Sequence, residues 1–198
     1  TLTDGQGGTS NTSYSLLHVT TLNDDPSNIG SLPASVTVTE DVATTIDLSS
    51  LNLTDPDANA GVLTLRLTTN GGNLTAAAGF GIVISNNGTD TITLTGTLTN
   101  LNNYLNVVTN ISYLHPVANT NGTAADSITV VINDNGNTGT GGGTDIALGT
   151  VIVDIAAVND APVATIAAAS YNVNEQTNLT LHGTGISISD LDSASGVV

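Results

Sequence analysis

Leu63-Thr64-Leu65-Arg66-Leu67-Thr68 alternates apolar and polar residues without a break, and Thr91-Ile92-Thr93-Leu94-Thr95 does the same. Residues two apart share one face of a strand, so each run presents an apolar face and a polar one. Val36 and Val38 alternate with Thr37 and Thr39 in the same way, and longer runs at Ser127 to Ile132 and Ile146 to Ile155 read as late strands. Thr, Val and Ile favour the pleated conformation. Between the runs lie Asn70-Gly71-Gly72, Asn86-Asn87-Gly88, Asn121-Gly122 and Asn133-Asp134-Asn135-Gly136, which are turn signals. One stretch has another period. Leu98, Leu101, Tyr104, Leu105 and Val108 fall three and four apart, with Asn100, Asn102, Asn103 and Asn106 on the other side. This predicts one short amphipathic helix in an otherwise all-β, antiparallel sandwich.

The composition narrows the function. The 198 residues carry 17 acids against one Lys or Arg, a formal net charge of −16. Such a surface repels phosphate, which excludes nucleic acid and anionic lipid as partners. At 39% hydrophobic the chain is too apolar for a solvated acidic tail, and no apolar run is long enough for membrane insertion. The absence of Cys removes disulfides and thiolate metal sites. A single Arg cannot pair the carboxylates. Wherever they cluster, either a metal ion holds them or they stand apart in water.

The chain repeats. Asn23-Asp24-Asp25-Pro26 recurs as Asn159-Asp160-Ala161-Pro162, Glu40 as Glu175, Asp55-Pro56-Asp57 as Asp190-Leu191-Asp192, and Gly61-Val62 as Gly196-Val197, at offsets of 136, 135, 135 and 135. Leu2-Thr3-Asp4-Gly5 resembles Ile132-Asn133-Asp134-Asn135-Gly136, and each precedes a Gly-rich loop, a strand and then Asn-Asp. The expected organisation is the tail of one repeat over 1–22, a whole repeat over 23–158 and the opening of a third over 159–198. Apolar edges such as Leu16 to Val19 and Val163 to Ala168 are then expected to be covered by further chain or by adjacent subunits of a filament.

Strand arithmetic places the acids. A strand of about eight residues spans roughly 25 Å. Glu40 follows Asp24 by one pass down the sandwich, and Asp55 and Asp57 follow by a pass back up. Asp134 lies in the turn between the last two long strands, again at the top. The top thus gathers Asn23, Asp24, Asp55, Asp57 and Asp134. The bottom gathers Glu40, Asn159 and Asp160, joined by Asp190 and Asp192 of the next repeat. Both sets are hard oxygen ligands. Ca²⁺ takes about six to eight of these in a tolerant geometry, whereas Mg²⁺ demands a strict octahedron. Asp41, Asp47, Asp90, Asp126, Asp145 and Asp154 fit neither cluster and read as solvated surface.

The ordered set of Asn-Asp-x-Pro linker, Glu, Asp-x-Asp and late turn Asp resembles cadherin-type repeats. It is most similar to the bacterial cadherin-like repeats of giant secreted RTX-type adhesins and surface proteins, in which Val-Asn-Asp-Ala-Pro marks the linker, as at Val158 to Pro162 here. The segment Thr95 to Tyr113 is similar too. The resemblance implies a tandem, immunoglobulin-like extracellular array, rigidified by Ca²⁺ at its linkers. Two departures imply unequal sites at the two junctions. The first linker reads Leu22-Asn23-Asp24-Asp25-Pro26, and Glu40-Asp41 becomes Glu175-Gln176.

Other chemistry lacks its residues. His18, His115 and His182 are isolated, with no His-Glu-x-x-His for zinc and no Gly-x-Ser-x-Gly elbow for acyl transfer. The Gly139 to Gly143 run fails dinucleotide-loop spacing and precedes a strand, so it reads as a flexible loop. The acids crowd at domain ends rather than flanking a cleft, so the expectation is a protein that is not an enzyme. The leading reading is a Ca²⁺-stiffened structural extender of a secreted or cell-surface adhesin or filament, its partners being neighbouring repeats or adjacent subunits. The alternatives are a module of the same fold that binds an extracellular glycan or a protein, and a non-catalytic appendage of a secreted hydrolase. Tyr14, Tyr104, Tyr113 and Tyr171 read as packing residues rather than a sugar platform.

Overall fold

The computed structural model describes residues 2–166, 170–181 and 185–192. His182, Gly196, Val197 and the end of the Val163 to Ala168 edge lie outside the described residues. The chain is an all-β sandwich with one short helix. Its strands are β1 (Ser27–Asn28), β2 (Ser35–Thr39), β3 (Thr44–Thr45), β4 (Leu53–Thr54), β5 (Val62–Thr69), β6 (Asn73–Ala76), β7 (Val83–Ser85) and β8 (Thr91–Thr97). After helix α1 (Leu98–Leu105) come β9 (Ile111–Leu114), β10 (Gly122–Asn133), β11 (Ile146–Ala156), β12 (Val163–Ile166) and β13 (Ile186–Ser189). The main sheet has the order β2-β11-β10-β5-β8-β7, antiparallel except for the parallel pair β2 and β11. The order β3-β9-β6 makes the facing sheet.

The alternating runs produce this packing directly. Leu63, Leu65 and Leu67 point inward from β5, Ile92 and Leu94 from β8, Ile128, Val130 and Ile132 from β10, and Val151, Val153 and Ile155 from β11. Leu74, Ile111 and Tyr113 meet them from the facing sheet. Each such aliphatic side chain gains about 1.5–3 kcal/mol from leaving water. The threonines alternating with them face outward, and Thr91 donates to Thr68 across β8 and β5 at 3.2 Å.

Helix α1 covers the predicted stretch as far as Leu105. Thr97 caps it, its hydroxyl accepting from the Asn100 N–H, and Leu101, Tyr104 and Leu105 are buried. Its polar face also does structural work. The Asn102 amide accepts from Leu53 N and donates to Leu53 O, both at 2.9 Å, satisfying the backbone of β4 on the side away from its partner β1. Val108 falls just beyond the helix and is half-exposed.

One carboxylate departs from the surface reading. Asp126 is only 6% exposed. The Asn70-Gly71-Gly72 turn folds over it, and Asn70 N, Gly72 N, Ser127 N and the Tyr113 hydroxyl donate to it at 2.7 to 3.0 Å. Gly72 is needed there, because a Cβ would lie 2.0 Å from the Tyr113 ring. Burial by itself raises the Asp126 pKa. The hydrogen bonds from Tyr113, Ser127, Gly72 and Asn70 outweigh it and hold the carboxyl below its usual range.

A depressed folded pKa contributes stability above the unfolded pKa of about 4 and loses it as pH falls through the folded value. Asp126→Asn removes the charge that these donors converge on and is expected to cost about 2–3 kcal/mol at pH 7. In urea melts the gap between parent and variant should narrow as pH falls below the usual carboxylate range. A gap that persists unchanged in acid contradicts the charged-acceptor role.

Candidate metal centres

At the top of the sandwich, the turn after β10 places Asp134 in the interior, fully buried. Its Oδ1 accepts from Gly136 N at 3.0 Å and Gly143 N at 2.9 Å, and its Oδ2 from the Asn23 amide at 2.5 Å. Burial raises its pKa, and these donors from Gly136, Asn23 and Gly143 more than reverse it. Asp55 sits just after β4, 7% exposed, its Oδ1 accepting from Asp57 N at 3.2 Å and Ala58 N at 3.0 Å. Asp57 Oδ2 accepts from Asp24 N at 3.2 Å. Asp134 is thereby tied to the Asn23 side chain, and Asp57 to Asp55 and to the linker backbone at Asp24. Asp24 joins through its backbone N–H, and its own side chain is exposed.

Three buried oxygens of this set have no hydrogen-bond donor: Asn23 Oδ1, Asp55 Oδ2 and Asp57 Oδ1. A buried acceptor without a partner costs about 1–3 kcal/mol, more when charged. The strain registers on Asp55, whose pKa burial raises above its usual range, with the neighbouring Asp57 charge adding to the rise. Amide and carboxylate oxygens deprived of donors fit a hard divalent cation, and Ca²⁺ tolerates such an irregular set best.

At the bottom, Glu40 directly follows β2 and is 2% exposed. Its Oε1 accepts from Val158 N at 2.6 Å and its Oε2 from the Asn121 amide at 2.7 Å. Carboxylate oxygens of Glu40, Asp160 and Asp192 lie within 4.8 Å of one another. Asp160 N donates to Asp192 Oδ2, and Asp192 N donates to Asp190 Oδ1 at 3.0 Å. The Asn159 amide donates to Asp160 O at 3.0 Å. Lost hydration, then the charges of Asp192, Asp41, Glu40 and Asp190, push the Asp160 carboxyl above its usual range.

The two places share a pattern. Asn23 donates to Asp24 O, Asp24 N to Asp57, and Asp57 N to Asp55. The same three bonds join Asn159, Asp160, Asp192 and Asp190. Ser27 pairs with Thr54 beside the first set, and Val163 with Ser189 beside the second.

Some participants escaped the sequence reading. Asp41 is exposed as expected, yet it faces the bottom cluster and accepts from Asn119 N at 3.0 Å. With its NH₂ turned toward the carboxylates, the Asn119 amide donates to Asp160 Oδ2 at 2.5 Å and Asp41 Oδ2 at 3.2 Å. Asn119-Thr120-Asn121 was the available signal, two amides in the loop before β10, but a search for acids passes over neutral groups. Asp145 remains at the surface and holds Arg66 at 2.6 Å.

Comparison with family models, curated proteins and solved structures finds no match to this chain.

Asp55→Asn tests the top site. The amide oxygen keeps the turn bonds to Asp57 N and Ala58 N while the charge goes. Because the folded state raises the Asp55 pKa, its charge opposes folding at neutral pH. Without metal the variant should therefore melt at or above the parent temperature. With Ca²⁺ it should lose most of the stabilisation the parent gains. Equal Ca²⁺ shifts in both would remove Asp55 from the site.

Proposed function

We propose that this chain is a Ca²⁺-stiffened extender segment of a secreted or cell-surface adhesin or filament. The observation that carries the reading is the trio of donor-less buried oxygens on Asn23, Asp55 and Asp57, with the Asn23 amide held by the buried Asp134. The sequence has no Lys to neutralise them, and its one Arg is engaged by Asp145.

The residues divide the work. Asn23 and Asp24 belong to the linker, Asp55 and Asp57 to the loop after β4, and Asp134 to the turn after β10. A bound divalent cation supplies the positive charge that this set lacks. Oxygens from three separate segments then attract one centre instead of repelling one another, and the incoming chain loses its freedom to swing. Glu40, Asp160, Asp190 and Asp192 do the same at the second linker, with Asp41 adding charge and Asn119 and Asn121 adding amides. Extracellular modules with such ligand sets bind Ca²⁺ at roughly 10⁻⁴ to 10⁻³ M, which suits a compartment where Ca²⁺ is abundant. The recurrence of one hydrogen-bond pattern at both linkers supports a tandem, extended arrangement.

Thermal melts with and without Ca²⁺ test the reading. Ca²⁺ at about ten times its Kd should add roughly 1.4 kcal/mol. An unchanged melting temperature at millimolar Ca²⁺ would sink the metal reading of both clusters. The extender role has its own test. Asp190→Ala with Asp192→Ala should leave the 23–158 sandwich folded, and in Ca²⁺ X-ray scattering should give a shorter, more variable particle than the parent. A particle of unchanged length means that packing, not metal, holds the second linker.

A further inference from the structure

The glycine-rich loop 139–143 is seated on the backbone of the incoming linker. Asn23 N donates to Thr140 O at 3.3 Å, and Thr140 N donates to Thr21 O at 3.0 Å. These bonds form a parallel bridge between Leu22 and Thr140. The approach is too close for side chains. A Cβ on Gly139 would lie 2.4 Å from Asn23 N and 2.5 Å from Leu22 C. A Cβ on Gly142 would lie 2.2 Å from the Asn23 amide nitrogen. Gly141, between them, faces open space. Gly141 and Gly142 both hold a left-handed backbone, at φ 98° and 78°. Asp134 ties the base of the loop together, accepting from Gly136 N and Gly143 N on one oxygen and from the Asn23 amide on the other.

We propose that residues 139–143 are a backbone clamp that sets the direction in which the preceding chain enters the sandwich, with Asp134 coupling the clamp to the top oxygen cluster. The clamp follows from contact geometry alone. Its coupling rests on the cation reading above. Glycine at 139 is there to let another backbone in, glycine at 142 to leave room for the Asn23 amide that Asp134 holds, and glycine at 141 only to form the turn. The bridge uses main-chain groups, so it holds the linker whatever side chains the linker carries. The pairing of Leu22 with Thr140 also fixes which linker residue reaches Asp134. A slip of one residue would carry the Asn23 amide away from the carboxylate.

The chain has no Cys, so a labelled pair is readily introduced. Spin labels at Thr20→Cys and Thr129→Cys report the linker against the main sheet. In Ca²⁺ the parent should give a narrow distance distribution. Gly139→Ala and Gly142→Ala should broaden it, while Gly141→Ala should leave it narrow. Broadening in all three alike would assign the effect to turn strain and overturn the clamp, as would broadening in none. Hydrogen exchange on the unsubstituted chain is the second readout. The Asn23 and Thr140 amides should be protected, and both should lose about tenfold or more of that protection in Gly142→Ala while β5 and β10 amides keep theirs. Free exchange at both amides in the parent would also overturn the clamp. A parent distribution equally narrow with and without Ca²⁺ would retain the clamp and refute its coupling to the cation.

Discussion

The buried carboxylate of Asp134 is the constraint on which the top of the molecule depends. One of its oxygens closes the 136–143 loop, and the other holds the linker amide of Asn23. A charge this deep must be met by donors, and Asp134 meets it with main-chain N–H groups and an amide. Asp55 and Asp57, on the neighbouring loop, meet donors on one oxygen only, and each keeps a buried oxygen without a donor. The contrast within one cluster is what gives it a direction. Part of it is satisfied by the fold, and part is not.

Asp126 shows that the same chain can bury an acid without such a debt. The turn at 70–72, Ser127 and Tyr113 surround it with donors, so its charge is favoured by folding and not opposed by it. The pKa directions separate the two situations. Asp126 and Asp134 are held down by hydrogen bonds, while Asp55 and Asp160 are pushed up by lost hydration and by neighbouring acids. Burial of a carboxylate is therefore no sign of a metal here.

The strands and the helix were legible because their signal is local. Leu63 to Thr68 alternates, Leu98 to Leu105 does not, and each took the structure that its period demands. The acids at Glu40, Asp55, Asp57 and Asp134 could be placed by counting passes through the sandwich, since strand length is nearly fixed. What stayed hidden depends on contacts distant in sequence. Asp126 looks like any strand aspartate until Gly72 and Tyr113 close over it. Asn119 and Asn121 carry no charge to mark them beside Glu40 and Asp160. The run Gly139 to Gly143 reads as slack, because a sequence shows that glycines lack side chains but not which backbone needs the space.

The direct test is crystallographic. Crystals of the chain grown in Ca²⁺ and measured at a wavelength where calcium scatters anomalously should show a peak among Asn23 Oδ1, Asp55 Oδ2, Asp57 Oδ1 and Asp134, with oxygens at about 2.3–2.6 Å. Ordered water alone among these oxygens, at hydrogen-bonding distance and without anomalous signal, would contradict the account.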